Sequence, residues 1–144
     1  MSSMKHPSGL SSEQIEEMLA LAKDVAERSY SPYSKFRVGA AILLDDGSIF
    51  TGCNVENASY RLTTCAEQTA IAKAVSEVGP KIKLRAVAVA NLNGAASMPC
   101  GACRQTLLEF GGPETWIFFP GENGEYADVS LADLIPYGFH LAHD

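Results

Sequence analysis

Cys65 and Glu67 stand two residues apart in Thr64-Cys65-Ala66-Glu67, and Cys100 and Cys103 stand three apart in Pro99-Cys100-Gly101-Ala102-Cys103-Arg104. Three thiols and a carboxylate in two short clusters could hold a metal ion and move a proton beside it. Thiolate is the metal-binding form of cysteine, and a helix N-terminus favours it through the macrodipole and the free N–H groups. Each cluster lies where a helix is expected to begin, so two helix ends can deliver three sulfurs to one point. Three sulfurs leave the fourth tetrahedral position of a zinc ion open, which separates a catalytic site from a closed structural one. Glu67 would then be no ligand. Two residues beyond Cys65 it would diverge from the sulfur in mid-helix, but at a first turn the two can converge, with the metal beyond the helix end. There a carboxylate can take a proton from a bound water and return it to a substrate. Three thiolates leave an excess negative charge on a dication, which weakens it as a Lewis acid. The two helix dipoles and Arg104, next to Cys103, can offset part of that charge.

A Cys-x-x-Cys by itself is more often redox-active or structural. The added Cys65 and Glu67, about 35 residues upstream with a strand between, reverse that balance. Cys53 has no metal-like spacing and reads as a buried thiol at a strand end. His6, His140 and His143 lie near the termini and read as solvated side chains rather than ligands.

The elements that must position these clusters can be read from the hydrophobic pattern. Ser11, Ser12 and Glu13 precede Ile15, Met18, Leu19, Ala22, Val25 and Ala26, an amphipathic helix ending near Ser29 before Ser31-Pro32-Tyr33. Val38 to Leu44 and Ile49 to Cys53 flank Asp45-Asp46-Gly47-Ser48 as an antiparallel hairpin. Thr63 or Thr64 can cap a second helix, from about Cys65 to Val78, closed by Gly79-Pro80. Leu84 to Leu92 suits a central strand buried on both faces. Pro99 opens a third helix, about Cys100 to Phe110, stopped by Gly111-Gly112-Pro113. Trp116 to Phe119, a turn at Gly121-Glu122-Asn123-Gly124, a strand around Tyr126 and a short helix near Leu131 to Ile135 complete the chain. The order α-ββ-α-β-α-β-β-α implies an α/β fold, a three-layer α/β/α sandwich with one mixed sheet of about five strands.

With 144 residues, residues 1–144 form one expected domain, in which 1–10 read as a flexible N-terminus. The net charge of −6 argues against gripping nucleic acid through its phosphates. Met1 to Leu10 has no apolar core of a signal peptide, and no apolar run approaches the roughly 20 residues that span a bilayer. A cytoplasmic protein with no membrane partner is the expectation, and its cysteines are then thiols or ligands rather than disulfides.

Three cysteine ligands, a non-ligand glutamate and a Pro-Cys-x-x-Cys form the signature of zinc-dependent deaminases. The chain resembles the small homotetrameric cytidine deaminases from Tyr30 to its end. The likeness is most specific in Ser34-Lys35-Phe36-Arg37-Val38-Gly39-Ala40-Ala41, in Gly52-Cys53-Asn54-Val55-Glu56-Asn57-Ala58-Ser59-Tyr60, in Cys65-Ala66-Glu67 and in Pro99-Cys100-Gly101-Ala102-Cys103-Arg104-Gln105. The resemblance implies hydrolytic deamination of cytidine and deoxycytidine by zinc-activated water, with one zinc per chain on Cys65, Cys100 and Cys103 and Glu67 as proton shuttle. By the same likeness Asn54 and Glu56 would bind the ribose hydroxyls, Phe36 would flank the base, and Phe139 would stack on it. Ala66 and Tyr60 would belong to the substrate site, Tyr60 across a subunit boundary, in a homotetramer that shares its active sites. Where the family usually has Arg, this chain has Gln68, which on the face of Cys65 could donate to a thiolate without adding charge. Two rival functions differ from this one. A structural zinc or redox module would need a fourth ligand and would leave Glu67 idle. A deaminase of a modified nucleoside such as blasticidin S would keep the metal site and change the pocket around Asn54, Glu56 and Phe139.

Overall fold

The protein is represented by a computed structural model that describes residues 6–122 and 125–141. Helix α1 (Ser12–Ala26) starts at Ser11, whose side chain accepts from the Gln14 N–H while the Gln14 side chain accepts from the Ser11 N–H. Its apolar face of Ile15, Met18, Ala22, Val25 and Ala26 recurs every three to four residues and is buried. Strands β1 (Val38–Leu44) and β2 (Ile49–Cys53) pair as the expected antiparallel hairpin, with Gly47 at φ +90 in its turn. β3 (Leu84–Asn91), β4 (Trp116–Pro120) and β5 (Tyr126–Ser130) complete a five-stranded sheet in the order β2-β1-β3-β4-β5. β3 runs antiparallel to β1 and parallel to β4, and β4 runs antiparallel to β5, so the sheet is mixed.

Helix α1 covers one face, against Ala41, Leu43, Ala86, Ala88 and Phe118. Helices α2 (Ala66–Val78) and α3 (Gly101–Phe110) cover the other, where Ala70, Ile71, Ala74, Leu107 and Leu108 meet Ile42, Val87, Val89 and Ile117. A 3-10 turn at Tyr60–Leu62 and a short helix α4 (Leu131–Leu134) complete the elements. The three-layer α/β/α expectation is borne out. Among the described residues no helix is long and apolar enough to cross a membrane.

Register decides where the chemistry gathers. Gly39 faces Cys53 across β1–β2, and Val38 faces Asn91 across β1–β3. The ends of β2 and β3 and the start of β1 therefore share one edge of the sheet. Helix α3 is the crossover between the parallel strands β3 and β4, so it begins at that edge and runs back. Helix α2, which must return to the far end of the sheet to start β3, begins there too. The two helix N-termini that carry the thiols thus meet over one strand-end.

Two glycines allow the helices to lie this close. A Cβ on Gly39 would come 1.9 Å from the Ala22 carbonyl oxygen of α1, and one on Gly52 would come 2.4 Å from the Ala70 nitrogen of α2. These are backbone atoms, so no rotamer change relieves the clash. Gly52→Ala should lift the start of α2 from the sheet and destabilise the fold by at least about 1–3 kcal/mol. Denaturant unfolding measures the loss, and a transition at the parental midpoint would contradict this packing.

The N-terminus departs from expectation. Leu10 is fully buried in the α1 layer. The His6 ring packs edge-on to Trp116 and Phe118, with Nε2 2.8 Å from an Asp128 carboxylate oxygen and Nδ1 2.9 Å from the Ser8 hydroxyl. Residues 6–10 are therefore packed rather than flexible, and His6 is not a solvated side chain, whereas His140 is exposed as expected. Periodicity is silent here because the partners come from β4 and β5, more than a hundred positions away. Residues 1–5, His143 and the turn residues Asn123 and Gly124 lie outside the described residues.

Candidate active site

Cys65 and Cys100 are themselves the N-cap residues of α2 and α3, both with extended backbone (φ −75, ψ 157 and φ −68, ψ 171). This corrects the expectation that Thr63 or Thr64 caps α2. Thr64 instead forms a backbone bridge with Val55, exchanging N–H···O bonds of 2.8 and 2.9 Å. As caps, the two cysteines project sulfur off the helix ends, where the N–H groups have no helical partner. Cys103 sits in the first turn of α3 and Glu67 in the first turn of α2.

The sulfurs of Cys65, Cys100 and Cys103 all lie within 4.8 Å of one another. Tetrahedral zinc with Zn–S bonds near 2.3 Å sets its sulfurs roughly 3.8 Å apart, so the donor set fits that ion. Among the described residues no fourth His, Cys, Asp or Glu joins the group, which favours an open position over a closed structural site. Cys103 is buried, Cys65 half-buried and Cys100 exposed, so the cluster opens to one side. The Cys103 thiol facing Cys65 holds the Cys65 thiol down to about 7. The same pairing, with burial, pushes Cys103 far above the ordinary thiol value. Sulfurs close enough to share a proton are close enough to share a cation. Cys53, on the last residue of β2, stands outside the cluster.

Glu67 is only 4% exposed. Burial raises its pKa, against the opposing pull of its own backbone N–H and of Cys103. Burial thus favours the protonated form of the carboxyl, which suits a group that must take up and release a proton. Glu67 lines, with the three cysteines and Ala66, a cavity of about 210 Å³. Phe36 and Asn54 belong to the wall of the same cavity.

Asn54 is anchored as well as exposed to the cavity. Its Oδ1 accepts from the Val38 N–H and the Ser29 hydroxyl, and its Nδ2 donates to the Phe36 carbonyl at 2.8 Å. Among the described residues the second Nδ2 hydrogen has no partner. Glu56 does not line the cavity; its carboxylate accepts from the N–H groups of Tyr33 and Ser34, at 3.0 and 3.1 Å, and from the Ser34 hydroxyl. The Ser34 hydroxyl bond, foremost, keeps its pKa below the usual glutamate value. Tyr60, at 89% exposure, and Phe139, at 63%, also stand away from the cavity of their own chain.

Gln68 and Arg104 both hydrogen-bond to backbone groups. The Gln68 Oε1 accepts from the Cys65 backbone N–H at 3.1 Å and completes a capping box. Its role here is that of an acceptor which fixes Cys65 at the helix start, not of a donor to sulfur. Arg104 donates to the carbonyls of Pro99 and Leu134 and to the Met98 sulfur. An N-cap interaction is typically worth ~1 kcal/mol. Gln68→Ala and Gln68→Arg, which both lack the acceptor, should therefore lower stability by about that amount, whereas Gln68→Glu keeps the bond. Thermal unfolding of the metal-free variants tests this. Equal stability of Gln68→Arg and the parent would show that the box carries no weight.

Sequence reasoning missed much of the cavity wall: Val38, Thr63, Val89, Ser97, Met98 and Pro99. It also missed the asparagines behind it. Asn93 accepts from the Arg37 N–H and donates to the Lys35 carbonyl, bracketing Phe36 from both sides. Asn91 holds Ala95 and Ser97. Asn93-Gly94 is legible as a turn signal, and nothing local points to its distant partner.

A family model described as the cytidine and deoxycytidylate deaminase zinc-binding region matches residues 12–119. The chain belongs to that family. Among curated relatives, the cytidine deaminase of Sporosarcina psychrophila is 44% identical over 125 residues, covering 87% of this chain and 90% of that one. The cytidine deaminase of Mycobacterium tuberculosis (strain CDC 1551 / Oshkosh) is 47% identical over 120 residues, covering 83% and 85%. A crystal structure of cytidine deaminase from Burkholderia pseudomallei superposes with a TM-score of 0.77 at 40% identity, covering 86% of this chain and 98% of that chain. The zinc-binding region that the family model describes and the three-thiol cluster together fit a zinc site.

Proposed function

We propose that this chain deaminates cytidine and deoxycytidine hydrolytically to uridine and deoxyuridine, releasing ammonia, with one zinc held by Cys65, Cys100 and Cys103. The observation that carries the reading is the buried Glu67 lining one cavity with the three-thiol cluster, Phe36 and Asn54. Zinc bound there would supply a Lewis acid that makes water nucleophilic near neutral pH. Glu67 would take one proton from water and place it on N3 as the hydroxyl adds to C4, then carry the proton of that C4 hydroxyl to the amino group, which leaves as ammonia as the C4 carbonyl forms. Phe36 would flank the base. Asn54 and Glu56 would bind the ribose hydroxyls, so a free base would forgo both contacts and bind less well.

Phe139 and Tyr60 support a shared site, because both are exposed and neither lines the cavity of its own chain. In a homotetramer each would close the cavity of a neighbour, with Phe139 stacking on the base. Such an enzyme would act in the cytoplasm, in pyrimidine salvage. Ammonia release from cytidine, deoxycytidine, cytosine, a cytidine nucleotide and blasticidin S tests the reading, with light scattering for the assembly. Turnover of blasticidin S in preference to both nucleosides would overturn the substrate, and active monomers would overturn the shared site.

A further inference from the structure

Helix α3 does more than hold two thiols. Arg104, in the turn after Cys100, donates through Nε to the Pro99 carbonyl at 2.8 Å and through Nη1 to the Leu134 carbonyl at 3.3 Å. Its Nη2 lies 2.9 Å from the Met98 sulfur. The next residue, Gln105, donates through Nε2 to the Phe139 carbonyl at 2.9 Å. Leu108, on the following turn, packs so closely on the tail that a Cβ on Gly138 would come 2.3 Å from its Cδ2. One helix thus grips the C-terminal segment at residues 134, 138 and 139, and through Arg104 it also holds the Met98–Pro99 segment that walls the cavity and leads into Cys100.

Ile135 still packs against the core, but beyond it burial of large side chains does not account for the tail's course. Tyr137 is 97% exposed, Phe139 63% and Leu141 76%. Hydrogen bonds to its carbonyls, with the close approach at Gly138, set the direction in which it leaves the body. We propose that Gln105 and Arg104 are positioning residues which fix the C-terminal tail to the thiol-bearing helix and so set where Phe139 is presented. What Phe139 is presented to rests on the deaminase reading above; the tethering itself does not.

Gln105→Glu is the discriminating variant. It keeps the size of the side chain, removes the donor and turns a carboxylate toward a carbonyl oxygen. Gln105→Lys restores a donor. An ordinary hydrogen bond corresponds to about a two- to tenfold change in an equilibrium. In the zinc-loaded full chain, Gln105→Glu should speed hydrogen exchange of the amides of residues 135–141 by about that factor. It should raise KM for cytidine similarly, with kcat within about threefold and zinc content unchanged, and Gln105→Lys should recover most of both. Unchanged tail exchange in Gln105→Glu overturns the tethering. Faster tail exchange with parental KM, in a protein that deaminates cytidine, overturns the positioning role. A parent that deaminates no nucleoside overturns the proposed function instead, and the exchange measurement then still decides the tether.

Discussion

Glu67→Gln is expected to keep its fold and its zinc and to lose cytidine turnover by about 10⁴-fold or more. The side chain is almost fully buried and stands beside the thiol cluster. An amide of the same shape can keep the local hydrogen bonds but cannot take up and release a proton. A general acid or base typically contributes about 10²–10⁴-fold. Glu67 would serve several successive transfers, at the water, at N3 and at the leaving ammonia, which places the loss at the upper end or beyond. Metal analysis alongside single-turnover kinetics separates this role from ligation. Turnover within tenfold of the parent would remove Glu67 from the chemistry, and loss of zinc would make it a ligand.

How much of this was legible in the sequence depended on how far each signal had to reach. The hairpin was read to the residue, because β1, β2 and the Asp45–Ser48 turn are local. The start of α2 was displaced by one residue for a physical reason. Cysteine is not a favoured cap, so propensity points to Thr63 or Thr64, whereas the helix begins where Cys65 must project its sulfur. Gln68 and Arg104 bond to backbone atoms, and spacing says which side chains lie near a group, not which backbone atoms compete for them. The cavity wall was least legible. Phe36 owes its place to Asn93, from a loop more than fifty residues on, and to Lys35, which takes the left-handed conformation at φ +64. Such a backbone is uncommon for a residue other than glycine, and no local pattern announces it.

Alanine at Cys65, Cys100 or Cys103 should each abolish stable zinc binding, while Cys53→Ala should leave one zinc per chain. The geometry separates the four thiols: three lie within 4.8 Å of one another, and Cys53 lies outside the group. Removing an outer hydrogen bond from a metal ligand costs about 10–100-fold in affinity, and removing a ligand of a three-sulfur site should cost more. The variants differ in what else they disturb. Cys103 is 1% exposed, so Cys103→Ala also opens a void in the α3 layer; Cys103→Ser keeps the volume and isolates the loss of the donor. Cys100 is exposed, which makes Cys100→Ala the variant least entangled with packing. A ligand that binds only the folded state raises stability by mass action. Added zinc should therefore raise the Tm of the metal-free parent and of Cys53→Ala, and leave that of Cys100→Ala where it was. Cys65 and Cys100 belong to different helix starts, so the same metal that the thiols hold would also clamp α2 to α3 at the edge of the sheet. A Cys53→Ala variant without zinc, together with a Cys65→Ala variant that retains it, would place the metal elsewhere and detach Glu67 from it.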